Sequence, residues 1–169
     1  MNTSILFRRL SLEYKIRRLA EEDIQDIYEL SKENTEYHKY CKTESSVENS
    51  KEILTNLPLD KEIKDKYVIG FYKEGKLKAL LDLIAEYPDK DTFFIGLLII
   101  SRECQRKGAG TEIVNEISKF LKRKKYGYIR LGCIKENKKA EKFWMKNGFY
   151  TVKEVSQEKY TVTVMERKL

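Results

Sequence analysis

The sequence predicts an α/β domain built on a mixed β-sheet. Three observations point there. Apolar and aromatic runs such as K-Y-V-I-G-F-Y (66–72) and T-F-F-I-G-L-L-I-I (92–100) are interleaved with stretches of helical spacing, such as Ile113, Val114, Ile117, Phe120 and Leu121. Only 2 prolines and 8 glycines interrupt the 169 residues, as regular elements joined by short loops require. The run ending at Ile100 passes through a glycine-bearing turn into an amphipathic stretch, a strand–turn–helix unit.

In chain order, Y-K-I-R-R-L (14–19) alternates apolar and charged residues, as a strand does. Glu21, Glu22 and Asp23 then give an acidic first turn to a helix with Ile24, Ile27, Tyr28 and Ser31 on one face. A polar, aromatic segment, N-T-E-Y-H-K-Y-C-K-T-E (34–44), follows. Ser45-x-x-Glu48 forms a capping box for a second helix through Val47, Leu54 and Leu57, ended by Pro58. The run 66–72, the turn K-E-G-K and L-K-A-L-L-D-L-I-A-E-Y (77–87) make a hairpin, and the strand 92–100 comes after Y-P-D-K-D. Beyond the third helix, Y-G-Y-I-R-L-G-C-I (126–134) is a strand. Asn137 caps a short helix whose Ala140, Phe143 and Trp144 share a face, closed by Asn147-Gly148. F-Y-T-V-K-E-V and Y-T-V-T-V-M-E-R are two last strands, giving the order β-α-α-β-β-β-α-β-α-β-β. No repeat or linker divides the chain, so residues 1–13 are expected to be a short N-terminal extension and 14–169 a single domain.

Bulk chemistry narrows the function classes. Hydrophobic residues at 41% and charged residues at 36% describe a folding domain rather than a disordered one. Cys41, Cys104 and Cys133 are an odd number without a C-x-x-C pair, which fits a reducing, cytoplasmic setting better than a disulfide scaffold. With a single histidine they also supply no zinc-ligand pattern, so no metal site is expected. No apolar run reaches membrane-spanning length, and the N-terminus lacks a signal-peptide core. The net charge of +7 fits either an anionic partner or a lysine-rich solvated surface.

The turn Q-R-K-G-A-G (105–110) carries the sharper signal. A helix start leaves backbone N–H groups unpaired at the positive end of its dipole. Gly108 and Gly110 let an anion approach the backbone closely, and Gln105, Arg106 and Lys107 offer further donors. The pattern is neither the dinucleotide fingerprint nor the Walker loop, and on its own it is equally readable as a tight turn.

Q-x-x-G-x-G (Gln105, Gly108, Gly110), followed some thirty residues later by N-x-x-A-x-x-x-W-x-x-x-G-F (Asn137, Ala140, Trp144, Gly148, Phe149), resembles the GNAT superfamily of acyl-CoA-dependent N-acetyltransferases, over roughly residues 14–169. The resemblance implies a mixed, mostly antiparallel sheet of six to seven strands flanked by four helices. It implies acetyl-CoA as co-substrate and an amine acceptor, with acetyl transfer by direct attack in a ternary complex. Carried over to this chain, the pantetheine arm would pair with the backbone of Leu98, Ile99 and Ile100. The pyrophosphate would lie on the turn Gln105, Arg106, Lys107, Gly108, Ala109 and Gly110, with Asn137 near the arm. Many family members have a tyrosine, cast as general acid, where this chain has Trp144. An indole N–H is a donor but too weak an acid, so Trp144 is expected to wall the cofactor or the core.

For the base, Asp82 and Glu86 are candidates, since four residues apart on one strand they would share a side, either buried and proton-accepting or facing water. Glu33, Tyr37, His38 and Tyr40 fall in the segment that covers the acceptor site in related folds; His38 is the only histidine. Tyr160 is an alternative acid. An acyl-cysteine route through Cys104 or Cys133 is disfavoured by their positions beside the turn and in a strand. The competing class is a non-catalytic acyl-CoA- or nucleic-acid-binding module. Dispersed basic residues and the lack of a nucleic-acid-binding signature weigh against nucleic acid. A monomer or a homodimer is expected.

Overall fold

The computed structural model describes residues 10–169. Its elements are β1 (Lys15–Arg18), α1 (Ile24–Glu33), α2 (Thr35–Cys41), α3 (Val47–Thr55), β2 (Lys66–Lys73), β3 (Lys76–Ile84), β4 (Thr92–Ile100), α4 (Ala109–Arg123), β5 (Tyr128–Ile134), α5 (Lys138–Lys146), β6 (Tyr150–Ser156) and β7 (Thr161–Lys168). The seven strands form one sheet in the order β1-β2-β3-β4-β5-β7-β6. Every neighbouring pair is antiparallel except β4 and β5, which are parallel. The mixed sheet expected from the sequence is therefore present.

Five α-helices stand among the described residues, against the four expected. The additional one is α2, in the polar segment. It buries no residue, so it leaves no apolar stripe in the sequence. The second expected helix starts one residue later than its capping box implied: Ser46, not Ser45, accepts from Asn49 N–H at 3.0 Å. It ends at Thr55, because Asn56 is extended, and so stops short of Leu57. The long strand predicted over 77–87 ends at Ile84, where the chain turns with Glu86 at φ 54°.

Residues 1–9 of the expected N-terminal extension lie outside the described residues. Leu10 begins a 3₁₀ turn and is 2% exposed, in one core with Tyr14. That core fills the α4/α5 face of the sheet. Ile113, Val114, Ile117 and Leu121 on α4, each 1% exposed or less, meet Leu81, Leu83, Phe93 and Ile95. Fully burying such a side chain stabilises the fold by about 1.5–3 kcal/mol. The second core, on the α1 and α3 side, joins Ile27 and Leu30 to Val68, Leu80 and Ile99.

Candidate active site

The site begins with a glycine in the middle of β4. Leu83 of β3 pairs with Ile95 and Asp82 with Leu97, leaving Gly96 as an extra residue, a β-bulge. A bulge inverts the side-chain alternation that follows it. Before it, Phe93 and Ile95 face the α4/α5 core; after it, Leu98 and Ile100 do, and Leu97 and Ile99 turn to the other face. A Cβ at Gly96 would stand 2.5 Å from Asp82 Oδ2, so the glycine leaves the room that the Asp82 carboxylate occupies.

Immediately before the bulge β4 loses its parallel neighbour. Pairing with β5 runs from Thr92↔Tyr128 to Ile95↔Leu131 and stops. β4 stays with β3 as far as Ile100↔Ala79, and β5 stays with β7 as far as Ile134↔Val162. The two strands part, and the backbone edges they turn to each other have no strand partner over this stretch. An extended ligand can take that place.

At the end of β4 the chain makes a 3₁₀ turn, Arg102–Cys104, and enters the glycine-bearing turn. Arg106 has φ 60° and Gly108 φ 91°, the N-cap of α4. The first backbone bond of α4 runs from Glu112 N–H to Gly108 O. Among the described residues, the N–H groups of Arg106 through Thr111 have no backbone partner. Gly110 packs closely under α5, since a Cβ there would lie 3.1 Å from Phe143 Cζ. Gln105 points inward: its Nε2 donates to Asn34 Oδ1 at 3.0 Å and to Ile100 O at 2.9 Å, and its N–H donates to Ser101 O. Its side chain ties the turn to the ends of β4 and α1 rather than serving an anion.

A cleft of about 540 Å³ opens over this turn. Leu98, Ile100, Gln105, Arg106, Gly108, Gly110, Asn137 and Trp144 line it. Its rim is cationic, with Arg106, Lys139 and Lys146. The hydrogen bond from Lys139, with the charges of Arg106 and Arg102 nearby, holds the Glu36 carboxyl below its usual range. Asn137 Oδ1 accepts from Ala140 N–H at 3.0 Å, capping α5 at the wall of the cleft. Trp144 is 8% exposed and packs edge-on against Phe143 at 4.9 Å and Phe149 at 5.2 Å. Ile99 turns into the second core, and Lys107 and Ala109 line a neighbouring groove with Glu13 and Tyr14.

A smaller, polar cleft of about 250 Å³ lies on the other side of the bulge, lined by Tyr37, His38, Glu52, Lys66, Asp82 and Leu97 among others. Lys66, 2% exposed, donates from Nζ to both Asp82 oxygens at 2.8 and 2.9 Å and to Asn56 O at 3.0 Å. Burial pushes the Asp82 carboxyl up, and Lys66 pulls it partly back. His38 is fixed between Ser31, 3.0 Å from Nε2 to Oγ, and Thr43. Tyr37 is 38% exposed as a whole, yet its hydroxyl end is enclosed, and that burial raises its pKa above the phenol range. Glu86 is exposed in its turn and Glu33 at the end of α1, and neither they nor Tyr40 line either cleft. The same-side expectation for Asp82 and Glu86 fails because the strand ends between them. Lys66, Gly96 and Asn34 are site residues that sequence reasoning missed. A lone glycine inside a strand was the available signal for Gly96.

The fold recurs among known proteins. The model of the acetyltransferase (GNAT) family matches residues 23–149. An acetyltransferase from Thermus thermophilus is 18% identical and superposes with a TM-score of 0.76, over 93% of this chain and 97% of that one. PaiA N-acetyltransferase from Thermoplasma acidophilum, solved in complex with coenzyme A, is 22% identical with a TM-score of 0.69, over 93% and 99%. The ribosomal-protein-S18-alanine N-acetyltransferase from Escherichia coli is 12% identical with a TM-score of 0.68, over 92% and 93%. No curated protein matches the chain. Among the described residues no helix is long and apolar enough to cross a membrane, and no His/Cys/Asp/Glu cluster could hold a metal ion.

Proposed function

Because the chain belongs to the GNAT acetyltransferase family, we propose that it transfers an acetyl group from acetyl-CoA to a primary amine by direct attack in a ternary complex. One observation carries this reading. A cleft with unpaired helix-start N–H groups and a polar cleft with a buried carboxylate meet across the parted end of β4.

The residues present fit the cofactor. The N–H groups of Arg106 to Thr111 and the helix dipole suit a pyrophosphate, with Arg106, Lys139 and Lys146 as cationic rim. The free edge of β4 from Leu98 to Ile100 suits an extended amide-bearing arm, and Asn137 stands across from it. Acetyl-CoA supplies the activated acyl group; the chain supplies orientation and exclusion of water. Asp82 is the buried carboxylate lining the acceptor cleft, and it is the proposed acceptor of the amine's proton, through water. Burial pushes the Cys133 thiol up to about 11, so it stays protonated, in keeping with a route that forms no acyl-enzyme.

Titration calorimetry with acetyl-CoA, on the parent and on Gly108→Trp, tests the proposal. A Cβ at Gly108 meets nothing within 4 Å, so the indole enters open space outside the core, while the φ of 91° strains any side chain there and distorts the turn that presents the N–H groups. One-to-one binding by the parent, lost in a variant that still unfolds cooperatively, supports the reading. A parent that binds no acetyl-CoA sinks it.

A further inference from the structure

Loss of the thiolate leaves an electron pair on sulfur, and a donor beside that sulfur lowers the barrier. Trp144, where many family members have a tyrosine, is held edge-on between Phe143 and Phe149 in the core. The cations of the cofactor cleft, Arg106, Lys139 and Lys146, are exposed at its rim. One residue of α2 stands elsewhere. Tyr37, alone among the described residues, lines both the cofactor cleft and the acceptor cleft. Below it, Leu97 faces the acceptor side and Leu98 the cofactor side, so Tyr37 spans the place where the two reactants meet.

Resting on the acetyltransferase reading, we propose that the Tyr37 hydroxyl donates a hydrogen bond to the departing sulfur of acetyl-CoA. The amine nitrogen bonds to the carbonyl carbon, the C–S bond breaks, and its electron pair passes to sulfur. Tyr37 stabilises that charge without giving up its proton. The amine's proton leaves through water, and solvent later protonates the thiolate.

Two features prepare Tyr37 for this. The His38 ring, itself pinned by Ser31 and Thr43, packs edge-on against the Tyr37 ring at 5.4 Å and fixes its orientation. Burial above all, and then Cys41 on α2, Tyr160 before β7 and Asp82 on β3, raise the Tyr37 phenol. The phenol stays a neutral donor.

Tyr37→Phe removes one oxygen and leaves the ring. Three readouts are compared with the parent: calorimetric binding of acetyl-CoA, the thermal midpoint, and thiol release with hydroxylamine as probe nucleophile. Hydroxylamine is largely unprotonated at neutral pH, so its attack needs no base and isolates the leaving-group step. The expected result is unchanged binding and midpoint with kcat lower by roughly 10²-fold. Unchanged kcat with intact binding overturns the inference alone. So does a parent that binds acetyl-CoA but releases no thiol above the uncatalysed rate. A parent that binds no acetyl-CoA overturns the acetyltransferase reading as well.

Discussion

Lys66→Met probes the most buried charge in the site. The ammonium is 2% exposed, its partner Asp82 7%, and both carboxylate oxygens depend on it at 2.8 and 2.9 Å. Methionine keeps most of the volume and removes the charge. A buried ion pair broken on one side loses about 3–5 kcal/mol, because the remaining charge has neither water nor partner. At about 2–4 °C per kcal/mol for a chain of this length, the midpoint should fall roughly 6–20 °C. Adding Asp82→Leu should restore most of the loss, since an apolar pair of similar volume needs no solvation. The pH dependence follows in sign. Burial already raises the Asp82 carboxyl, with Lys66 opposing, so losing Lys66 raises it further. A carboxyl whose folded pKa lies above its unfolded one favours folding at low pH, and that advantage is lost as pH rises through the two values. The variant should therefore stand closest to the parent in acid and weakest at neutral pH. Denaturant melts at several pH values decide it. A loss below about 1 kcal/mol, as for an exposed pair, or one equal in acid and at neutrality, would refute a buried, interdependent pair.

Gly110→Val should overpack Phe143, costing about 1–3 kcal/mol and weakening acetyl-CoA in calorimetry, because its Cβ alone would stand 3.1 Å from the ring. Leu121→Ala, at a site 0% exposed and remote from both clefts, should lose about 2–5 kcal/mol in denaturant melts while leaving acetyl-CoA affinity unchanged. Ser46→Ala should lose about 1 kcal/mol with the α3 cap, whereas Ser45→Ala, which removes a buried hydroxyl without a partner, should be neutral or stabilising by the same melts.

How much of this was legible depended on whether a residue's role was local. The α4 stripe from Ile113 to Leu121 was legible because every member meets the same core, and burial imposes the helical period on the sequence. The glycine-bearing turn was legible because its requirement is a local backbone shape. The helix α2 was not, since it buries nothing and carries no period. Lys66 opens a strand and reads as a solvated lysine. Its partner lies 16 residues away, on the diagonal of the register that sets Val68 opposite Asp82. Only the hairpin register brings the two together. The pairing of Asp82 with Glu86 failed for the complementary reason: alternation is reliable only while the strand lasts, and this one stops at Ile84. Gln105 was recognised as part of the turn, but its inward bond to Asn34 spans 71 residues and leaves no pattern in the sequence.

The helix α2 carries Tyr37 yet contributes no fully buried residue. It is held by polar straps: Gln105 to Asn34 at its start, Arg102 to Thr35, Lys139 to Glu36, and Lys42 to the carbonyl of Lys159 just past its end. Two of these straps begin at the Arg102–Gln105 turn and a third on α5, all beside the cofactor cleft. Wetted polar bonds weaken with salt and release individually, whereas a buried core releases only as a whole. The amides of Thr35–Cys41 should therefore exchange with solvent far sooner than those of Ile113–Leu121, and sooner still at high ionic strength. Filling the cofactor cleft, by steadying the residues from which the straps hang, should slow that exchange and make one wall of the acceptor cleft more rigid once the first ligand is in place.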